Sequence, residues 1–349
     1  MNKVAILYAL IAAALFGAST PAAKLLLGTI DPVLLAGLLY CGAGIGIAIV
    51  RRTTARKDSA PMQAPLTRKD APWLAGAILF GGILGPVLMM LGVARTGAAT
   101  ASLLLALEGA ATALIAWFAF HESFDRRILL GMVCIVAGAV VLSSSGTPTL
   151  DGAIGPIAIL GACIAWGLDN NLTRKVSLAD PLQIVELKGL VAGPFNVMLA
   201  MAAGASIPSL PAISLAAITG FLGYGVSLVL YVVALRHLGA ARTGAYFATA
   251  PFLGAVIAVV ALGDPISAGL LVAGALMGVG VWLHATEHHE HEHLHDSMVH
   301  EHPHAHDVHH QHAHSVGDPP GEPHTHVHAH GQIRHSHPHS PDMHHTHRH

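Results

Sequence analysis

Three observations predict an all-α integral membrane protein. Its ten transmembrane helices are expected as two inverted five-helix repeats, followed by a disordered His-rich C-terminal tail. The 349-residue chain is 53% hydrophobic and only 11% charged. A soluble domain carries about 25% charge, so lipid rather than water is the expected main solvent. The stretch Ala94 to Leu142 is written twice: Gly97, Glu122 and Gly138 recur as Gly239, Asp264 and Gly280, each 142 positions on. Self-similarity at a long fixed offset in an apolar chain points to a duplicated membrane fold. Finally, all but three of the 27 histidines (His121, His237 and His284) lie at or beyond residue 288. The expected units are 1–145 and 146–286 as the two repeats, and 287–349 as the tail.

A bilayer core needs about 20 apolar residues in a helix. Reading breaks at charges and Gly/Pro clusters gives ten stretches: 4–27, 32–50, 72–92, 97–119, 127–145, 153–173, 181–203, 212–235, 241–262 and 266–284. Residues 1–23 have the ingredients of a secretory signal, with Lys3, an apolar run and small residues. They are read as retained structure because they have an internal counterpart. Phe16-Gly17 lines up with Trp166-Gly167, and Asp31-Pro32 with Asp180-Pro181 one residue out of step.

Orientation follows from the basic residues. With the N-terminus in the cytoplasm, thirteen Lys and Arg fall on the cytoplasmic side, among them Arg51, Arg52, Arg126, Arg127, Arg174 and Arg236. The other side receives Arg95, with Lys24 near that end of the first helix. An odd number of spans per half inverts the second half relative to the first and places both termini in the cytoplasm. The location expected is the inner (plasma) membrane. Glycines such as Gly42, Gly44, Gly46, Gly274 and Gly278 are read as helix-packing positions. Cys41, Cys134 and Cys163 have no metal or redox spacing and are read as packing residues.

Each ionisable group at bilayer depth costs on the order of 3 kcal/mol and so needs a reason. Glu108 is twelfth in its stretch, hence at the midplane, where the second copy has Ala250. Its bland reading is a helix-packing carboxyl; its functional reading is a cavity-lining coupling group. Asp169, Asn170 and Asn171 form a polar cluster near the cytoplasmic end of the sixth span, and at most two of them can face one cavity. Asp169 is also close enough to an interface to be solvated. Glu186 and Lys188 are two apart, a spacing at which helix residues do not face each other. Lys188 is therefore expected to neutralise a carboxylate on another helix, Asp169 or Glu108. Lys24 is read as snorkelling to the outer surface. Thr20-Pro21 is read as interrupting the first helix. The candidate substrate and coupling residues are thus Glu108, Asp169, Asn170, Glu186 and Lys188.

The tail is punctuated by Pro and Gly, lacks apolar runs, and is expected to be disordered. Its candidate metal ligands are His288, His289, His291, His293, His295, His300, His302, His304, His306, His309, His310, His312, His314, His324, His326, His328 and His330. Histidine at every second position brings several neutral imidazoles within reach of one ion. Imidazole suits zinc, nickel, cobalt and copper. A divalent transition metal (Zn, Ni or Co) bound by the tail is the only cofactor expected, and none is required.

Two stretches carry a family resemblance: Ala234-Leu235-Arg236-His237-Leu238-Gly239-Ala240-Ala241-Arg242, and Leu105-Ala106-Leu107-Glu108 through Ala116-Trp117 to His121-Glu122. Over about residues 4–284 the chain resembles the EamA-type branch of the drug/metabolite transporter superfamily. The resemblance implies ten spans in two inverted halves, cytoplasmic termini and the activity of a permease, most often an exporter. The chain departs from that pattern at Gly109, where the family usually has Pro. It departs again at Leu39-Tyr40, where a basic residue is frequent; the repeat-related position holds Lys188.

Two functions emerge as expectations. One is proton-coupled efflux of a divalent transition-metal cation by alternating access. The other is export of an amino acid, metabolite or drug, with a metal-binding regulatory tail. A metal sensor or store anchored by a degenerate permease is a third class. No nucleophile–base pairing, phosphate loop or HExxH-type motif suggests an enzyme, and a net charge of −2 is too balanced for nucleic acid. The partners implied are the lipid bilayer and a small solute or metal ion, with a homodimer left open.

Overall fold

The computed structural model describes residues 3–54, 66–120, 126–144, 150–176, 179–238, 243, 246–285, 289–295, 298–304, 324–330 and 333–339. The body is helical. In chain order it comprises α1 (Lys3–Leu26), α2 (Pro32–Thr54), α3 (Ala71–Ala77), a π-helix (Ile78–Leu84) and α4 (Gly85–Ala94). Next come α5 (Ala98–Leu104), α6 (Leu107–Phe120), α7 (Arg126–Ser144), α8 (Leu150–Arg174), α9 (Pro181–Ala202) and α10 (Leu210–Gly220). A second π-helix (Phe221–Val226), α11 (Ser227–Leu238), α12 (Ala250–Leu262) and α13 (Ala268–Ala285) complete it.

Eight helical stretches among the described residues are long and apolar enough to cross a bilayer. Two more, Ala250–Leu262 and Ala268–Leu283, are apolar but shorter. The first of these is short because a turn at Ala248–Thr249 breaks the helix before Ala250. A turn at Leu105–Ala106, at the matching place in the first copy, separates α5 from α6. The two π-helices also match, one in each copy.

The helix starts have local causes. Asp31 Oδ1 accepts the Val33 and Leu34 amides at 2.9 and 3.1 Å, and Asp180 Oδ1 accepts the Leu182 amide at 2.9 Å. Each Asp is followed by Pro at the first helical position, where its missing N–H costs nothing. Pro21 lies inside α1, but the helix runs on to Leu26, which corrects the expected interruption at Thr20-Pro21. A Pro inside a helix deprives the carbonyl four residues back of its bond. Here that carbonyl, Gly17 O, faces α12 at Gly254.

Packing rests on small residues, as close approach in lipid requires. A Cβ on Gly138 of α7 would lie 2.7 Å from Met277 Cγ of α13; one on Gly280 of α13 would lie 2.6 Å from Ile135 Cγ1 of α7. Positions 142 apart thus exchange partners. The same reciprocity joins α1 to α12 and α8 to α6: Gly17 abuts Ala250 and Gly254, and Gly167 abuts Ala111 and Thr112. The outward faces of α7 and α13 carry exposed Val133, Val136, Val140, Leu271, Val272 and Val279, an apolar belt that suits lipid.

The two ends of the bundle differ. At one end, Lys24 donates to the Val93 and Thr96 carbonyls at 2.7 Å each. Asp264 Oδ2 accepts the Ala99 amide at 2.7 Å, capping α5 from 165 residues away. The reading of Lys24 as snorkelling is corrected: the unpaired carbonyls at the C-terminal end of α4 attract the amine more usefully than open water. At the other end lie the Arg51–Glu186 salt bridge and the Arg127 guanidinium, 5.7 Å from the Trp282 ring centre.

Over four described segments the tail differs from the expected disorder. Four of its segments form strands, β1 (His289–His295), β2 (Met298–His304), β3 (His324–His330) and β4 (Ile333–His339). β1 pairs antiparallel with β4, and β2 with β3. Alternating histidine has the period of a strand, a pattern that composition alone does not weigh. His288, His306, His309, His310, His312 and His314 lie outside the described residues.

Candidate functional site

Helix breaks at membrane depth are tolerated where irregular backbone is buried in protein or lines a cavity. The break at Leu105–Ala106 is such a place, and Glu108 stands in the first turn of α6 immediately after it. A Cβ on Gly109 would meet nothing within 4 Å, so the backbone beside Glu108 borders open space. Glu108 itself is half-buried, and Asn170 across from it is exposed. Asn170 Nδ2 donates to Glu108 Oε1 at 2.9 Å and to Thr112 Oγ1 at 3.2 Å. Among the described residues Glu108 makes no salt bridge.

The three consecutive polar residues of α8 divide their work, as their angular spread requires. Asp169 turns into the protein, where Lys188 Nζ reaches its two carboxylate oxygens at 2.7 and 2.6 Å and Thr173 Oγ1 donates at 2.8 Å. Asn170 faces Glu108. Asn171 is buried and donates to the Thr112 and Gly167 carbonyls at 3.1 and 2.9 Å, stitching α8 to α6. Asp169 is 7% exposed, so solvation does not explain it; the Lys188 ammonium does. Glu186 pairs with Arg51 at 2.5 Å, not with Lys188 two residues on. Of the candidate residues, the structure therefore gathers Glu108, Asn170, Asp169 and Lys188, while Glu186 belongs to a separate ion pair nearer the Arg51 end.

Sequence reasoning missed the residues around the π-helices. A π-helix shifts the hydrogen-bond ladder and leaves carbonyls for outside donors. Tyr40 Oη and Trp166 Nε1 donate to Gly81 O at 2.6 and 3.1 Å, and Asn196 Nδ2 donates to Gly82 O at 3.1 Å. The Asp169 carboxylate lies directly against Gly81, which leaves no room there for a side chain. The only available signal was glycine at matching positions, Gly81 and Gly223. Aromatic rings then wall the centre. Phe16 lies 6.4 Å from Trp166, 5.9 Å from Tyr224 and 5.4 Å from Phe247, centroid to centroid. Phe16 and Trp166 are repeat-related, so their contact sits where the two halves meet.

The arrangement is chemically simple: one carboxyl held by a neutral amide next to open backbone at Gly109, a cluster of aromatic rings, and one neutralised ion pair. It can hold a proton or a cation, or orient a polar group against a ring. Among the described residues no three His, Cys, Asp or Glu side chains come together as a metal cage.

The model of the EamA-like transporter family matches residues 3–144 and again 153–286. The chain belongs to the EamA-like transporter family. It is a multi-pass membrane transporter, built on the helices described above. An "Uncharacterized transporter" of Methanothermobacter thermautotrophicus (strain Delta H) is 28% identical over 282 residues, covering 77% of this chain and 82% of that protein. A second relative, from Pseudomonas aeruginosa (strain UCBPP-PA14), bears the name "Probable 4-amino-4-deoxy-L-arabinose-phosphoundecaprenol flippase subunit ArnE". It is 35% identical over 116 residues, 32% of this chain but 96% of the relative, which is therefore about the size of one half of the membrane body. A crystal structure 19% identical in sequence has a TM-score of 0.59 and covers 81% of this chain and 96% of its own, a likeness of fold.

Proposed function

We propose that this EamA-like transporter exports a divalent transition-metal cation (nickel, cobalt or zinc) in exchange for protons, by alternating access across the inner membrane. The observation that carries this reading is Glu108, a carboxylate at the broken helix whose described partner is a neutral amide. A cation and a proton compete naturally for such a group, and the oxygens of Asn170 and Thr112 can complete a loose, releasable shell. Asp169, fully engaged by Lys188, is a positioning group behind it. In this reading the chain spans the bilayer ten times in two inverted halves, with both termini and the His-rich tail cytoplasmic. The asymmetry of Lys and Arg, and the exchange of partners between Gly138 and Gly280, support that arrangement.

The aromatic wall favours a second reading, export of an amphipathic organic solute such as an amino acid, metabolite or drug. The relative named as a flippase subunit for a lipid-linked amino sugar belongs on that side. Purified protein in vesicles separates the two. Under an imposed proton gradient, the metal reading expects zinc, nickel or cobalt to accumulate against its own gradient. Absence of metal movement, together with resistance of expressing cells to organic solutes, would overturn it in favour of the second.

A further inference from the structure

Side chains from both halves close on one turn at the Lys24 end of the bundle. That turn, Arg95-Thr96-Gly97, joins α4 to α5. On one side Lys24, in the last turn of α1, donates to the carbonyls of Val93, Ala94 and Thr96 at 2.7, 3.3 and 2.7 Å. On the other, Asp264 Oδ2 accepts the Ala99 amide at 2.7 Å, and a Cβ on Gly97 would lie 3.4 Å from the same oxygen. Gly263, with a φ of 72°, ends α12 in the left-handed conformation and turns the chain so that Asp264 reaches back to α5. The Thr96 hydroxyl is buried against Gly155 of α8. Both charges recur in the duplicated sequence. Asp264 stands 142 positions after Glu122, and Lys24 stands 150 before Arg174, the offset that relates Phe16 to Trp166. Glu122 lies outside the described residues.

We propose that Lys24 and Asp264 form a gate latch. They hold the α4–α5 turn closed over this end while the space beside Glu108 is reached from the other side, and their release lets the α4–α5 hairpin tilt and opens this end. The lever is short: α5 has seven residues, about 10 Å of rise, between the held turn and the break that presents Glu108. The bonds suit a latch, because hydrogen bonds at an end that water reaches exchange for bonds to water at small net cost. The backbone contacts of Gly17 with Ala250 and Gly254 have no such exchange, and mark where α1 and α12 stay together. In the orientation proposed above, the latched end is the outer one. The inference adds to that reading which groups close the outer side, and holds for either class of solute.

The test is labelling of a single cysteine in the full-length protein. Cys41, Cys134 and Cys163 are replaced by Ser, and Gly109→Cys supplies a thiol beside Glu108, where a Cβ meets nothing within 4 Å. A membrane-impermeant maleimide is applied to the outer face in spheroplasts and to the cytoplasmic face in inverted vesicles, with no metal or organic solute added. With the latch intact, labelling should be several-fold faster from the cytoplasmic face. Lys24→Met or Asp264→Ala should raise labelling from the outer face several-fold. Asp264→Asn keeps an oxygen for the Ala99 amide and should label like the intact latch. Equal labelling from both faces with the latch intact would overturn the closed outer end, and this result needs no latch variant to fold. Asp264→Ala labelling no faster from outside, or Asp264→Asn labelling as fast as Asp264→Ala, would overturn the latch. No solute moves in this measurement, so its failure is distinct from failure of the metal reading, which transport in vesicles tests.

Discussion

The two copies of the broken helix share a backbone device and differ in the residues just past the turn. In the first, the turn at Leu105–Ala106 leads into Leu107-Glu108-Gly109, and the space beside Gly109 is open. In the second, the turn at Ala248–Thr249 leads into Ala250-Pro251, which are buried, with Ala250 held against Gly17 of α1. The second copy packs this place with small residues and proline, whereas the first carries a carboxyl with no bulk next to it. Duplication supplied the scaffold, and the proposed site lies where the two copies depart from symmetry.

Breaking that asymmetry should give the largest effect. Glu108→Gln keeps the shape and a hydrogen-bond acceptor for Asn170 but removes the group that can exchange a proton for a cation. The protein should insert normally, while proton-driven export in vesicles falls to the protein-free background. The parent's export rate should vary with pH and that of the variant should not. Glu108→Asp, with the carboxyl on a shorter stem, should retain part of the activity. If Glu108→Gln transports like the parent at every pH tested, the residue is packing, and the Asp169–Lys188 pair becomes the site to examine.

The next effect concerns the ion pair behind Glu108. Lys188 sits at the second-half position where the first half has Leu39-Tyr40, so only one half carries this charge. Lys188→Ala leaves Asp169 buried without its cation, a loss of about 3–5 kcal/mol in comparable buried pairs. Thermal unfolding in detergent should show it as a marked drop in Tm. Adding Asp169→Ala should restore much of the loss, because the stranded charge goes with it. A double variant as unstable as Lys188→Ala would mean that packing, not the stranded carboxylate, sets the cost.

Much of this was legible in the sequence because it is written in periodicity and spacing. The apolar stretches, the 142-residue offset and the Asp-Pro pairs need no three-dimensional information. The two-residue spacing of Glu186 and Lys188 already said that each must look to another helix. The partners themselves were not legible, because spatial neighbours such as Asp169 and Lys188 are chosen by how α8 and α9 cross. The π-helices were invisible for a different reason. Tyr40, Trp166 and Asn196 read as ordinary membrane residues until the shifted carbonyls of Gly81 and Gly82 give them acceptors. Lys24 was misread because its alternative to water, the exposed end of α4, lies about seventy residues away in the chain. The tail's four strands were not legible because low apolar content argues against a core, yet says nothing about whether two like-patterned segments pair.

The smallest expected effect tests the symmetric side of the comparison, where the halves should behave alike. Asp31 and Asp180 begin the second span of each half with the same Asp-Pro device. Asp31 satisfies two amides at 2.9 and 3.1 Å, and Asp180 one at 2.9 Å. Replacing an N-cap Asp by Ala typically costs about 1 kcal/mol, since an amide at the helix end loses its acceptor. Asp31→Ala and Asp180→Ala should therefore each lower stability by about that amount, with Asp31 equal or slightly costlier, and neither should change the pH dependence of transport. Asn at either position keeps an acceptor oxygen and should recover most of the loss. Thermal unfolding of the four variants reads this directly. A full cost at Asp31 with none at Asp180 would show that the two halves, despite matching sequences, do not rely on the same start signal. The contrast between Glu108 and Ala250 would then be one asymmetry among several rather than the one that marks the site.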